Sequence, residues 1–281
     1  MNNTQLALFV LASGRSGTSY LADFFAKNVA YCYSTHEPYC VIGNPTLFGK
    51  PIEWNTRQND SALIPMLERK CRFVSSRKQP FYFESNHAFL KAFHRHAGTL
   101  LRNPGFVHLV RHPLKVAKSE YLRELLIRKL RLPFVDYTSD TGERLFRWTL
   151  TGEETLFQHY SQTISRFQFY LLQWLEIEYR ALHLIRANHW QDRVFFIDVD
   201  VHLKKKEILR NMTRFFDLPV QSEFNLNLRR NNTPLIGPTT ITEQDREEFQ
   251  EIAGKLPESY RELIHSYRDC SWYHEINQLL S

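Results

Sequence analysis

The chain has no Cys-x-x-Cys pair, no internal repeat and no low-complexity stretch. It also has no apolar run near the roughly 18 residues that cross a bilayer. Its four cysteines, Cys32, Cys40, Cys71 and Cys270, are scattered. That excludes a zinc ribbon, a thioredoxin-type redox pair and a disulfide-stapled scaffold, and it fits a reducing compartment. Leu6 to Ala12 is apolar, but no basic segment precedes it and it is short for a signal peptide, so a buried first strand explains it better. A cytoplasmic location without a membrane anchor is the expectation. No Pro-, Gly- or Ser-rich linker divides the 281 residues, so a single domain over 1–281 is expected. With 43% apolar and 23% charged residues, the composition excludes disorder. A formal net charge of +6 leans towards an anionic ligand.

What is present is an alternation of strand and helix patterns. Leu6 to Leu11 is continuously apolar, as in a strand covered on both faces. Tyr20, Leu21, Phe24 and Phe25 then recur at helical spacing. Further strands are expected at Phe81–Phe83, Phe106–Val110 and Val194–Val199. Helices are expected at Ala88–Leu101, Leu114–Leu130, Glu153–His189 and Lys204–Phe216, with two short ones at the C-terminus. This order predicts an α/β fold of the P-loop type, a mostly parallel sheet flanked by helices. The stretches 36–60 and 131–152 break the pattern and are read as insertions over the active face. Ligands in such folds sit beyond the carboxyl ends of the strands.

The first strand runs into Ser13-Gly14-Arg15-Ser16-Gly17-Thr18-Ser19 and then into a helix. A glycine turn opening a helix offers free backbone N–H groups and the positive end of the helix dipole, which suits a phosphate. The Walker A pattern Gly-x-x-x-x-Gly-Lys-Ser/Thr nearly fits, with two departures. Aligned on Gly17, Ala12 stands at the first glycine and Thr18 at the lysine that clamps a triphosphate. The cation, Arg15, lies inside the turn instead. A second segment, Phe106 to Val110 followed by Arg111-His112-Pro113 and then Ser119, sets a guanidinium at a strand end and a hydroxyl two turns into the next helix. Arg with Ser is a good pair for a phosphate monoester. No metal site is visible.

These two segments, in this order and these strand contexts, resemble the 3′-phosphoadenylyl-sulfate (PAPS)-dependent sulfotransferases, closer to their bacterial and carbohydrate branches than to the cytosolic aryl branch. The resemblance implies that Gly14, Arg15, Ser16, Gly17, Thr18 and Ser19 hold the 5′-phosphosulfate. It implies that Arg111 and Ser119 hold the 3′-phosphate, with the late basic loop carrying Arg229 and Arg230 closing over it. It also departs from the family's pattern, with Asp198-Val199-Asp200 in place of the usual Glu-Asp-Leu. The product would be 3′,5′-adenosine bisphosphate, and the acceptor a hydroxyl or amine of a small molecule or carbohydrate, with no nucleic acid partner.

Sulfuryl transfer needs charge stabilisation on the leaving phosphate, a task for Arg15, and a base for the acceptor. The resemblance implies Glu37, with His87 as the rival and Glu84 next. Phe134, Tyr137, Phe146 and Trp148 are candidates for an acceptor pocket or for core packing. Arg123, Arg128, Lys129 and Arg131 read as a solvated helix face. Two alternatives stay open. One is a P-loop kinase or NTPase, because Val194 to Asp198 resembles a Walker B strand. The other is a catalytically idle nucleotide-binding module.

Overall fold

The structure, a computed structural model, describes residues 5–38, 42–160, 164–228 and 240–280. Its order is β1 (Leu6–Ala12), α1 (Thr18–Asn28), β2 (Cys32–His36), α2 (Lys50–Thr56), α3 (Asp60–Ser75) and β3 (Phe81–Ser85). A π-helical turn (Phe89–Phe93), a 3₁₀ turn (His94–His96) and α4 (Ala97–Leu100) follow. Then come β4 (Pro104–Val110), α5 (Pro113–Lys129), β5 (Asp136–Thr138), β6 (Arg144–Phe146), α6 (Thr155–Gln158) and α7 (Arg166–Ala187). The chain ends with β7 (Val194–Asp198), α8 (Lys206–Phe215), α9 (Glu243–Ala253), α10 (Glu258–His265) and α11 (Tyr273–Gln278).

Five strands form one sheet in the order β2-β3-β1-β4-β7, and every pairing is parallel. The expected α/β class and parallel sheet are therefore observed. The strand β1 is buried on both faces because its alternate residues feed two cores. Ala7, Phe9 and Leu11 pack with α2, α3 and α7, whereas Leu8, Val10 and Ala12 pack with α1 and α8. This double burial is why the segment reads as an unbroken apolar run. Phe25 of α1 stacks on Phe83 of β3 at 3.7 Å between ring centroids, locking the first helix over the sheet.

Several expectations are corrected. Ala88–Leu101 is not one helix: residues 89–93 are all buried, and a wider π turn serves that better than an amphipathic α-helix. Glu153–His189 is interrupted, and α7 begins at a capping box in which Ser165 and Gln168 satisfy each other's backbone N–H. The stretch 36–60 contains α2, and α3 follows with no counterpart in the sequence reading, because Pro65 and five charged residues mask its apolar stripe of Leu63, Met66, Leu67 and Phe73. Residues 131–152 include an antiparallel hairpin, β5–β6. Three helices, not two, lie after residue 240.

Inside the sheet edge, Lys70 of α3 is fully buried. Its Nζ donates to Glu84 Oε2 at 2.8 Å and to Asn44 Oδ1 at 3.0 Å. Tyr82 Oη and Asn86 Nδ2 also donate to Glu84. Glu84 is thus locked in the core and does not face the site, contrary to expectation. Breaking a buried pair from one side strands the other charge. Lys70→Met is expected to lower unfolding stability by about 3–5 kcal/mol in urea titration, while Lys70→Met with Glu84→Gln recovers part of that loss. A single variant as stable as the wild type would show that the pair is not coupled.

Candidate active site

At the carboxyl edge of the sheet the chain leaves β1 through the loop that the sequence marks. Arg15 and Gly17 both take left-handed backbone conformations, at φ 63° and 80°. Gly17 caps α1, and a side chain there would be strained and would also strike Leu203. A Cβ at Gly14 would lie 2.0 Å from Glu120 Oε1, so a side chain there would have to displace the Glu120 carboxylate. The Ser16 hydroxyl turns inward, 3.1 Å from Ser13 Oγ and 3.4 Å from the Gly14 carbonyl. This buried side chain shapes the loop. Thr18 and Ser19 open α1, where the first N–H groups have no acceptor within the helix.

The β1–β4 register brings the second segment alongside. Arg111 Nη1 donates to the Arg15 carbonyl at 2.7 Å, and Arg15 Nε donates to Ser119 Oγ at 2.9 Å. Two stretches about a hundred residues apart thus form one surface. Asp200 orients Arg111 from 3.7 Å and accepts from His112 N and Lys115 Nζ, both at 3.0 Å. Arg229 and Arg230 lie outside the described residues.

The two rival base candidates turn out to be neighbours. Glu37 follows β2 and has φ 42°, fixed by its N–H donating to the Ser85 carbonyl. His87 follows β3, so the parallel β2–β3 pairing sets the two residues side by side. His87 Nε2 lies 3.4 Å from Glu37 Oε1. His87 is fully buried, against Phe48, and burial with the nearby Lys91 charge pushes its pKa well below the usual histidine value. Burial raises the Glu37 carboxyl above its ordinary range. Glu37 and His87 line a cavity of about 100 Å³ with Arg15, Thr18, Ser19, His36, Glu120 and Arg123. That is room for about three waters, the scale of one small anionic group.

Glu120 and Arg123 of this cavity wall, and Lys91 behind His87, are absent from the sequence reading of the site. Lys91 was hidden because it lies in the π turn, where α periodicity fails. Glu120 adjoins Ser119 in sequence, but one sequence gives no signal that a carboxylate sits against the Gly14 backbone. Arg123 was read as part of a solvated face. Its place one turn beyond Ser119 was the available signal, and it lies over the Trp148 ring at 4.8 Å. Of the other aromatics, Phe134 is exposed, while Phe146 is buried and lines a separate cavity of about 490 Å³ with Tyr121, Leu125 and Arg166. Asp198, the Walker B candidate, is buried and accepts from the backbone N–H groups of Asp200 and Ser271. Its carboxylate ties two loops together. Among the described residues no group of three His, Cys, Asp or Glu side chains is arranged to hold a metal, and no helix is long and apolar enough to cross a membrane.

The chain matches no family model and no curated protein by sequence. In structure it is similar to a sulfotransferase domain from the curacin biosynthetic pathway, at 13% identity and TM-score 0.52 over 94% of this chain and 97% of that one. It is also similar to a sulfotransferase from Alicyclobacillus acidocaldarius, at 17% identity and TM-score 0.48, covering 95% and 98%. A third is the sulfotransferase domain of a Synechococcus olefin synthase, at 13% and 0.41, covering 95% and 96%. The likeness to the curacin domain shows that the chain has the sulfotransferase fold.

One feature of the site stands out against anion binding: a carboxylate in the cavity wall. Glu120 is buried; its Oε2 accepts from Arg123 Nη1 at 3.4 Å, and its Oε1 has no hydrogen-bond partner among the described residues. A like charge at this range disfavours an incoming anion. Glu120→Gln is expected to tighten binding of inorganic sulfate by about tenfold, or ~1.4 kcal/mol, by calorimetry at pH 8. Weaker binding would show that Glu120 supports the loop instead of opposing its ligand.

Proposed function

We propose that this protein is a PAPS-dependent sulfotransferase that moves a sulfuryl group to a hydroxyl or amine of a small-molecule or carbohydrate acceptor. One observation carries the reading beyond fold. A carboxylate and a buried neutral histidine, Glu37 and His87, share a small cavity with the Arg15 loop and with no lysine clamp. The residues present fit the donor: guanidinium groups at Arg15, Arg111 and Arg123, hydroxyls at Thr18 and Ser19, and a glycine turn whose Gly17 takes a left-handed backbone.

When bound, the donor supplies a sulfonate on a phosphate leaving group. Arg15 and the α1 amides would neutralise charge on that phosphate. Arg111 and Ser119, joined through Arg15, would hold the 3′-phosphate. Glu37, its basicity raised by burial, would take the proton from the acceptor as the new bond forms. His87 keeps Glu37 in place. The kinase reading is weaker because Asp198 is held by backbone N–H groups and Thr18 stands where a triphosphate clamp needs lysine.

Two experiments test this. By calorimetry, 3′,5′-adenosine bisphosphate is expected to bind much more tightly than 5′-AMP, and Arg111→Ala to remove about 2–4 kcal/mol of that preference. Equal affinity of the wild type for the two nucleotides would refute the donor assignment.

The second compares turnover. Glu37→Gln keeps size but not basicity, so kcat is expected to fall by about 10²–10⁴ with nucleotide affinity unchanged. His87→Asn is expected to cost less. The raised Glu37 pKa adds a sign: activity depends on the ionised carboxylate, so it falls with decreasing pH and does so above the usual carboxylate range. A near-normal Glu37→Gln enzyme beside a dead His87→Asn enzyme would give the role to the histidine. If no acceptor is turned over while the bisphosphate still binds, the idle-module reading stands.

A further inference from the structure

Lys91 is a fully buried lysine whose ammonium has no carboxylate within ion-pair distance among the described residues. Its Nζ lies 3.2 Å from His87 Nδ1 and 2.5 Å from the Trp148 carbonyl, both neutral acceptors. It sits at the centre of the π turn Phe89–Phe93, a local distortion that natural helices keep mostly at functional sites. Burying a lysine against neutral partners is costly, and such groups cluster where chemistry is tuned.

The contact has a definite consequence for the histidine. A protonated lysine has donors and no acceptor. The 3.2 Å contact is therefore Nζ–H donating to the Nδ1 lone pair. A neutral imidazole with Nδ1 accepting carries its proton on Nε2. Nε2 is the atom that faces Glu37 Oε1 at 3.4 Å. Both ring nitrogens are then occupied, Nδ1 covered by Lys91 and Nε2 carrying its proton on the side of Glu37, so His87 has no free lone pair with which to take a proton from an acceptor.

We propose that Lys91 is a positioning residue that fixes the His87 tautomer, so that Nε2–H orients the Glu37 carboxylate and leaves Glu37 as the base. The proposal rests on the sulfotransferase reading only for its turnover readout; the tautomer itself is measurable without any substrate. The link also ties the site to the chain after the β5–β6 hairpin, since the Trp148 carbonyl accepts from Lys91 while its ring carries Arg123.

The same geometry makes the arrangement pH-dependent. Burial lowers the Lys91 pKa to about 8, with Arg123 and Arg180 lowering it and Glu120 and Glu37 opposing them. His36 and Arg15 are the further charged or titratable groups around His87. Below about pH 8 Lys91 is an ammonium and Nδ1 must accept. Above it the free amine accepts instead, Nδ1–H becomes favourable, and the Nε2 lone pair would face the Glu37 carboxylate. The wild-type rate is therefore expected to fall as pH rises through about 8.

The test is nitrogen-15 NMR of histidine-labelled enzyme at pH 7, paired with pH–rate profiles of wild type and Lys91→Met. The expected His87 spectrum shows unprotonated Nδ1 and protonated Nε2. In Lys91→Met that preference is lost, kcat falls about tenfold across the range, the limb near pH 8 disappears, and calorimetric affinity for 3′,5′-adenosine bisphosphate is unchanged. A wild-type His87 protonated on Nδ1, or a Lys91→Met enzyme with the wild-type tautomer and profile, overturns the proposal. If Lys91→Met does not fold, the wild-type tautomer and its change above pH 8 decide the matter. If neither enzyme turns over while the tautomer is as expected, the functional reading fails and the tautomer assignment stands.

Discussion

The parallel pairing of β3, β1 and β4 is the constraint from which the site follows. In a parallel sheet every strand points the same way, so every chain segment leaving a carboxyl end emerges on one edge. The registers Phe9 with Glu84, His36 with Ser85, Ala12 with Leu109 and Val110 with Asp198 align those exits in a row. Glu37, His87, the Ser13–Ser19 loop, Arg111 and Asp200 are therefore neighbours without any of them being close in sequence. The two cores that bury both faces of β1 hold this register, because a one-residue slip would exchange the residues feeding them.

Burial then gives these neighbours their chemistry. Charged and titratable groups on a water-filled edge would be screened and ordinary. Here Glu37, His87, Glu120, Arg15 and Arg123 surround a space of about 100 Å³, with Lys91 buried behind His87. In so little water each group feels its neighbours' charge strongly. The carboxyl of Glu37 becomes more basic, His87 stays neutral, and Lys91 comes close to titrating at neutral pH. The same low polarity makes Glu120 Oε1, which has no hydrogen-bond partner among the described residues, conspicuous.

Much of the frame was legible before any coordinates. The run Leu6 to Leu11, the glycine loop and the Val110–Arg111–Ser119 segment carry local signals that backbone geometry enforces. Where local pattern and packing disagree, the sequence reading failed. The π turn buries five consecutive residues, so α periodicity mislabels it. In α3 the charged residues outweigh a narrow apolar stripe. The break before α7 is set by the Ser165–Gln168 cap, a signal present in the sequence but masked by continuous helix-forming residues on either side.

For the site, residue types were legible and relations were not. Chain order and local pattern by themselves determined the α/β class and the anion-suited loop, because turn glycines, apolar runs and strand-terminal arginines have local physical causes; the short list holding both Glu37 and His87 came from the family resemblance. Only the tertiary structure decided that Glu37 and His87 lie side by side, that Lys91 covers Nδ1, that Glu84 belongs to the core with Lys70, and that Arg123 lines the cavity. Those facts depend on which strands pair and in what register. That choice is made by the burial of whole faces, which no single segment carries.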